Sequence, residues 1–441
     1  MATPSDMPCL PTNLGAAHPL LRAGLHDRVI GTLIGSALGD AIGLYTEFLS
    51  GAASAAAYPS RRFTLSPTPT PFHRDMHRLK HELGDWTDDT DHALLILLSY
   101  LHASSSRSAV LPDPKDFAAR LETWVNQGLR ALDKLPLGLG NLVGRVVRSK
   151  GYVDAPDAAA RKVWEDRGRG LAPNGSIMRT HPLGLICLRE TESTAFETAA
   201  RFSRTTHADP RCVLSCVIAT GLVRGLVRGE VTAEADVDAL VRRAVDWFLL
   251  EKEEDDELDL AELDRHTRAG MLEELKLDHA EAIGYVYKAL GSGIVLLRMA
   301  MRREQDSGGA LLAREAVFEE LITDLVMRGG DADTNACVAG AFLGAYLGYG
   351  PLPGHWKHGL GNEEWLMNKA EALCRVLHVV DGEYDGKEDK DTHPDGGRGF
   401  LSMEEMEERF NKRHYDLLLL LSKDFKAQQE KKSRWSFLGV R

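Results

Sequence analysis

The stretch Gly329-Gly330-Asp331-Ala332-Asp333-Thr334-Asn335, with Ala336 to Leu347 behind it, decides how the rest of the chain is read. Ala336 to Leu347 has almost no polar face, so it predicts a helix buried on every side. Two acids and a threonine open that helix, after two glycines that permit sharp backbone turns. An Asp or Thr in such a place is a common N-cap, because its oxygen accepts the free amide hydrogens of the first turn. One cap needs one acid, and here there are two.

The same arrangement occurs earlier in the chain. Thr87-Asp88-Asp89-Thr90-Asp91 opens the all-apolar run Ala93-Leu94-Leu95-Ile96-Leu97-Leu98. If the two buried helices are neighbours, four carboxylates converge. Unpaired buried carboxylates repel one another and are costly, and a divalent cation removes that cost. Neither motif contains Cys or His. An oxygen-only donor set selects Mg²⁺, Mn²⁺ or Ca²⁺ over zinc. Four carboxylates and two hydroxyls suffice for two ions ~3.5–4 Å apart.

A third acidic position lies nearer the start. Residues 24–49 predict a helix in which Gly31, Gly35, Gly39 and Gly43 share one face. Such a face is a groove where another backbone comes close. Asp40 lies beside it. Glu47 falls near the helix C-terminus, where an acid opposes the dipole. Two glycine-bearing segments offer exposed amides for a phosphate: Gly138-Leu139-Gly140-Asn141 and Asn174-Gly175-Ser176-Ile177-Met178-Arg179. Thr205-Thr206-His207 precedes a helix, and there a capping Thr and a satisfied histidine are the default.

Helical spacing recurs at about 116–133, 192–203, 208–228, 233–250, 280–303, 312–327 and 402–430, and no segment sustains period-2 alternation. The expected fold class is all-α: a compact orthogonal multi-helix bundle with a central metal-containing cleft. The expected layout is a flexible tail over 1–23, a catalytic domain over 24–380, and a charged linker with a helical extension over 381–441. A solvated acidic insertion is expected at about 251–264. Residues 50–83 read as a loop.

The net charge of −12 argues against a nucleic-acid surface. The cysteines Cys9, Cys187, Cys212, Cys216, Cys337 and Cys374 form no CxxC pair, which suits reduced thiols and no zinc site. No apolar stretch reaches the ~18 residues of a membrane span and no signal-peptide layout opens the chain. The expectation is a cytoplasmic protein, with the nucleus as the alternative, that has no membrane partner and is monomeric.

In order, GDAIG…E (Gly39 to Glu47), WTDDT (Trp86 to Thr90), NGSIMR-x-x-PLG (Asn174 to Gly184), TH-x-DP (Thr206 to Pro210) and GGDADTNA-x-x-AG (Gly329 to Gly340) resemble the ADP-ribosylglycohydrolase family. That resemblance implies an all-α hydrolase with two Mg²⁺ ions, or Mn²⁺, in a central cleft. By position the metal ligands would be Thr87, Asp88, Asp89, Asp331, Asp333 and Thr334. Glu47, Asp88 and Asp89 would be the catalytic acids. Gly138, Gly140, Asn174, Gly175, Ser176, Met178 and His207 would line the ADP-ribose site, with His207 near the ribose. The substrate would be an ADP-ribosylated protein or an ADP-ribose conjugate, cut at the distal ribose.

Residues 50–83, 251–264 and 381–441 depart from the family core, so the linkage cleaved stays open between arginine, serine and others. Two rivals remain: a catalytically inactive ADP-ribose-binding or structural relative on the same fold, and a Mg²⁺-diphosphate enzyme of the prenyl-synthase type. The latter uses DDxxD, and here His92 stands in the run after Asp88-Asp89.

Overall fold

Helix follows helix in the computed structural model, which describes residues 18–252, 256–306 and 311–437. In chain order these are α1 (Pro19–Gly43), α2 (Gly51–Ala57), α3 (Asp88–Ala103), α4 (Pro114–Gln127), α5 (Asn141–Val147) and α6 (Pro156–Asp166). Then come α7 (His181–Ile186), α8 (Glu192–Arg204), α9 (Pro210–Arg228), α10 (Glu234–Glu251), α11 (Leu260–Thr267) and α12 (Val286–Asp306). The chain finishes with α13 (Leu311–Val326), α14 (Ala332–Leu347), α15 (Gly354–Lys357), α16 (Glu363–Val376) and α17 (Met403–Phe437). Among the described residues β-type pairing is limited to isolated bridges, as the all-α expectation requires.

The glycine face of α1 sets the central contact. A Cβ built on Gly39 would lie 1.9 Å from the Ala336 carbonyl oxygen, and one on Gly344 would lie 1.9 Å from that of Gly31. The α1 and α14 backbones therefore touch along their lengths, and no side chain fits between them. The same contact puts Gly43 against the Asp333 backbone, so the end of α1 meets the start of α14. Helices α3, α9 and α14, and α12 as far as Met301, are buried almost throughout, as their long apolar runs require.

Several boundaries differ from expectation. Helix α1 starts at Pro19, capped by His18, because Pro suits a helix's first turn; the tail stops short of 23, and residues 1–17 lie outside the described ones. It ends at Gly43, so Glu47 sits in the turns beyond it. Residues 50–83 include α2 and a 3₁₀ turn at Arg78–Lys80. Helix α4 stops at Gly128, whose φ of +77° ends it before 133. Of the acidic insertion, Asp256 is buried and paired with Arg161 at 3.1 Å, so it is not wholly solvated.

Two further expectations change. The segment 381–398 is docked on the body: Lys369 bonds Asp389 at 2.7 Å, Trp365 Nε1 donates to Asp391 at 2.8 Å, and Thr392 is fully buried. Helix α9 does have the length and a mean hydropathy, 1.5, of a membrane span, but 94% of that window is buried inside the protein. It is a core helix by packing.

Candidate metal centre and cleft

The two acid-bearing helix starts converge, and their hydrogen bonds separate caps from candidate ligands. The first turn of α3 is capped by Thr87, whose Oγ1 accepts from the Asp89 amide at 3.4 Å, and is braced from α1. Asp40, on α1, accepts from the Thr87 amide at 3.0 Å, the Thr90 amide at 3.0 Å and the Thr90 hydroxyl at 2.6 Å. Thr87 Oγ1 donates to Asp89 Oδ2 at 2.9 Å. Asp88 and Asp89 are thus not needed as caps, and Asp89 Oδ1 is buried with no partner. Asp331 is the N-cap residue of α14, yet its side chain makes no cap bond and instead accepts from Asn174 Nδ2 at 2.9 Å.

Oxygens of Asp40, Asp89 and Asp333 lie within 4.8 Å of one another, and so do those of Glu47, Asp331 and Asp333. Asp333 belongs to both groups. Both Asp40 oxygens already accept hydrogen bonds, so Asp40 acts as a brace for α3 while Asp89 offers a free oxygen. The orphaned Asp89 oxygen and an all-carboxylate donor set fit a hard divalent cation.

Electrostatics agree. Burial, then the charges of Asp89 and Glu47, push the Asp88 carboxyl well up from its usual range. Asp333 is pushed up the same way, by burial and then by Glu47 and Asp89. Asp89 follows from burial and Asp40, and Asp331 from burial and Glu47. Each of these acids holds its proton more tightly than an exposed carboxyl does, and a bound cation would compete with that proton.

Glu47 reaches the cluster through a backbone clasp. The Phe48 amide donates to the Gly330 carbonyl at 2.7 Å, and the Gly330 amide donates to Leu49 at 2.9 Å. Gly329 and Gly330 have φ of +70° and +76°, and a Cβ on either would strike a neighbouring carbonyl. The sharp turns expected of this pair are present. Glu47 is also hydrogen-bonded to His77 Nε2, so the 50–83 segment touches the site.

A cavity of about 670 Å³ opens over the acids. Glu47, Asp88, Asp89, Asp331, Asp333 and Thr334 line it. So do Gly138, Gly140, Asn174, Gly175, Met178 and His207. Glycine suits position 138 because its φ is +86°, and a Cβ there would also press on the Asp88 carboxylate.

Thr87 and Ser176 do not line the cavity. Thr87 is buried behind Asp89, and Ser176 is fully buried beside the Cys212 and Cys216 thiols, so its hydroxyl cannot face a phosphate. Arg179 is also fully buried and bonded to Thr206, so it offers no charge to the cleft. Asp91 is taken up by Trp86 at 2.8 Å and Trp124 at 2.9 Å. His92 stacks edge-on against Trp124 at 4.4 Å, away from any DDxxD role.

The wall at 280–285, expected as the first turns of a helix over 280–303, is instead a 3₁₀ turn at Ala280–Ala282 and a short connection, and α12 begins only at Val286. The Asn174 amide donates to the Gly284 carbonyl at 2.9 Å and the Val286 amide to Ala172 at 3.0 Å, which fixes this wall opposite α5. Its one signal is Gly284, whose Cβ would lie 3.1 Å from Asp331 Oδ2.

A family model described as ADP-ribosylglycohydrolase matches residues 21–384. The chain is similar to the ADP-ribosylarginine hydrolase Tri1 of Serratia proteamaculans (strain 568): 24% identical over 349 residues, 79% of each chain. It is also similar to a protein of Archaeoglobus fulgidus described as uncharacterized, 27% identical over 366 residues, 80% of this chain and 98% of that one. A solved structure titled ADP-ribosylglycohydrolase-related protein complex shares the fold, with a TM-score of 0.50 and 24% identity over 80% of this chain and 99% of that one.

Proposed function

The chain belongs to the ADP-ribosylglycohydrolase family, and from that premise we propose a Mg²⁺-dependent hydrolase that frees ADP-ribose from a modified side chain or small conjugate. The bond cut is the N- or O-glycosidic bond at the anomeric carbon of the distal ribose. One observation carries the reading: two helix starts bring their acids together under an open cavity, and a buried Asp89 oxygen is left without a partner.

Asp88, Asp89, Asp331, Asp333 and Thr334 would hold two Mg²⁺ ions, with Thr87 supporting Asp89 from behind. Bound there, the ions supply positive charge that orients the ribose diol and makes a water easier to deprotonate. Asp88 is the less enclosed of the two cavity acids on α3, which places it to take a proton from that water. Glu47, held by His77, is the second acid placed to take the proton. Water oxygen bonds to the anomeric carbon, the glycosidic bond breaks, and the freed guanidine or hydroxyl keeps the electron pair and takes up a proton. Carboxylates facing the cavity stabilise the positive charge that develops on the ribose. Gly138, Gly140, Asn174, Gly175, Met178 and His207 would form the ADP-ribose walls, with Arg145 and Arg167 of the same cavity facing the diphosphate.

The substrate in this proposal is an ADP-ribosylated protein or conjugate, met by a monomer in the cytoplasm or nucleus. The five cysteines among the described residues are buried and free, which supports a reducing compartment. The test incubates the full chain and Mg²⁺ with peptides carrying ADP-ribose on Arg or on Ser. Metal-dependent release of ADP-ribose from one of them is expected. Binding of ADP-ribose without release from either peptide or a small conjugate would make the protein a binder, and release of diphosphate would overturn the reaction class.

A further inference from the structure

Arg179 is fully buried and its Nη2 donates to Thr206 Oγ1 at 2.6 Å. A guanidinium has no acceptor atoms, so the Thr206 oxygen must accept. Thr206 is itself fully buried, and its hydroxyl hydrogen also needs an acceptor. His207 Nδ1, at 2.7 Å, is the other hydrogen-bond partner of that hydroxyl among the described residues. The hydroxyl therefore donates to Nδ1. A ring nitrogen that accepts carries no proton, so the neutral imidazole is the Nε2–H tautomer.

The charge state is consistent with this. Burial, and then the Arg179 charge, hold the His207 imidazole well below its usual pKa. The fully buried His92 imidazole is likewise held well below its usual pKa, by burial and then by the same arginine. Nε2 lies at the Gly175 backbone, where a Cβ would be 3.2 Å from it, and both residues line the cavity.

We infer that Arg179 and Thr206 are positioning residues that fix His207 as a neutral donor, its Nε2–H presented to an acceptor oxygen of the bound ligand. The ligand group it selects is a hydroxyl or phosphate oxygen; an amide or ammonium donor is refused there. The identity of that ligand rests on the cleft being an ADP-ribose site, whereas the tautomer is a property of the protein alone.

The experiment is long-range ¹H–¹⁵N correlation on the full chain with Mg²⁺, followed by titration with ADP-ribose and with ADP. His207 is expected to show an unprotonated Nδ1 and a protonated Nε2. Thr206→Val should bring up the Nδ1–H form and weaken ADP-ribose binding about tenfold, the scale of one hydrogen bond. Thr206→Ser should restore both, with Mg²⁺ affinity unchanged throughout. A loss seen for ADP-ribose but not ADP assigns the acceptor to the distal ribose; a loss for both assigns it to the ADP part. A protonated Nδ1 in the parent, or a Thr206→Val protein with tautomer and affinity unaltered, would overturn the inference. If ADP-ribose fails to bind the parent, the cleft reading falls, and the nitrogen pattern still decides the relay.

Discussion

Asp89 Oδ1 and the two Asp40 oxygens, a few ångströms apart, have opposite hydrogen-bonding states, and that contrast assigns their roles. Asp40 is saturated with donors from α3, and Asp89 is not. Asp333→Ala or Asp88→Ala should therefore abolish Mg²⁺ binding, read by calorimetry, and lower turnover by a factor of 10³ or more, on the order of several kcal/mol of lost transition-state stabilisation. Full activity with Mg²⁺ still bound in either variant would sink the metal assignment. Asp40→Asn should instead loosen the α3 start, because it exchanges a charged acceptor for one that also carries donors. The raised acids also set a pH dependence. Burial pushes Asp40 from 3.8 to about 6, and Asp88, Asp89 and Asp333 well up. An acid whose pKa is higher folded than unfolded favours folding at low pH. That contribution is lost as pH rises from its unfolded value through its folded one. The metal-free protein should thus lose stability as pH climbs from about 4 to about 6 and beyond. Mg²⁺ reverses the loss, so its increment in Tm should be larger at pH 8 than at pH 5. Equal increments in a calorimetric scan at both pH values would count against protons and metal sharing these carboxylates. At this scale the sequence shows which acids exceed the needs of a cap, but not that Asp40 braces the turn that Thr87 caps.

The α1–α14 pair is where element-scale reasoning succeeds. Four glycines at four-residue spacing announced a close backbone approach, and both helices meet there without intervening side chains. Gly39→Ala would gain ~1 kcal/mol of helix propensity. Against that, the new methyl would sit 1.9 Å from the Ala336 oxygen, a backbone atom that cannot swing away. Overpacking of this kind costs about 1–3 kcal/mol or more, so the net change should be destabilising. Urea unfolding should show a lower midpoint, and an unchanged or higher one would mean that the helices part easily. Because the same contact sets Gly43 against Asp333, weaker Mg²⁺ binding should accompany it. The wall at 280–285 was not legible, since its place comes from hydrogen bonds to 172–174, more than a hundred residues away. Local periodicity carries no trace of such pairing.

On the scale of the molecule, the C-terminal region divides into a docked part and an exposed one. Gly386 packs on the Leu101 backbone, Lys369 is buried against Asp389, and Gly396 meets Ala131. Helix α17 leans on the body through partly exposed pairs such as Arg409–Asp133, and pairs of that kind contribute roughly 0–1 kcal/mol. A chain ending at 402 should keep its Tm and activity nearly intact, whereas one ending at 380 should melt markedly lower. A similar fall in both, measured by calorimetry, would show that α17 is part of the fold. Composition suggests a linker because 381–398 is charged and glycine-rich, yet Gly382, Gly396 and Gly397 take positive φ in turns and Asp389 and Asp391 both pair with the buried Lys369. By itself, then, the sequence determined the helical class, the two acid pairs and the glycine face, because periodicity, capping need and side-chain size are local properties. Only the tertiary structure decided which acid braces and which is free, that Ser176 and Arg179 turn inward, and that His207 meets the cleft. Those outcomes depend on which distant groups become neighbours, and burial lets each buried donor choose among them only once.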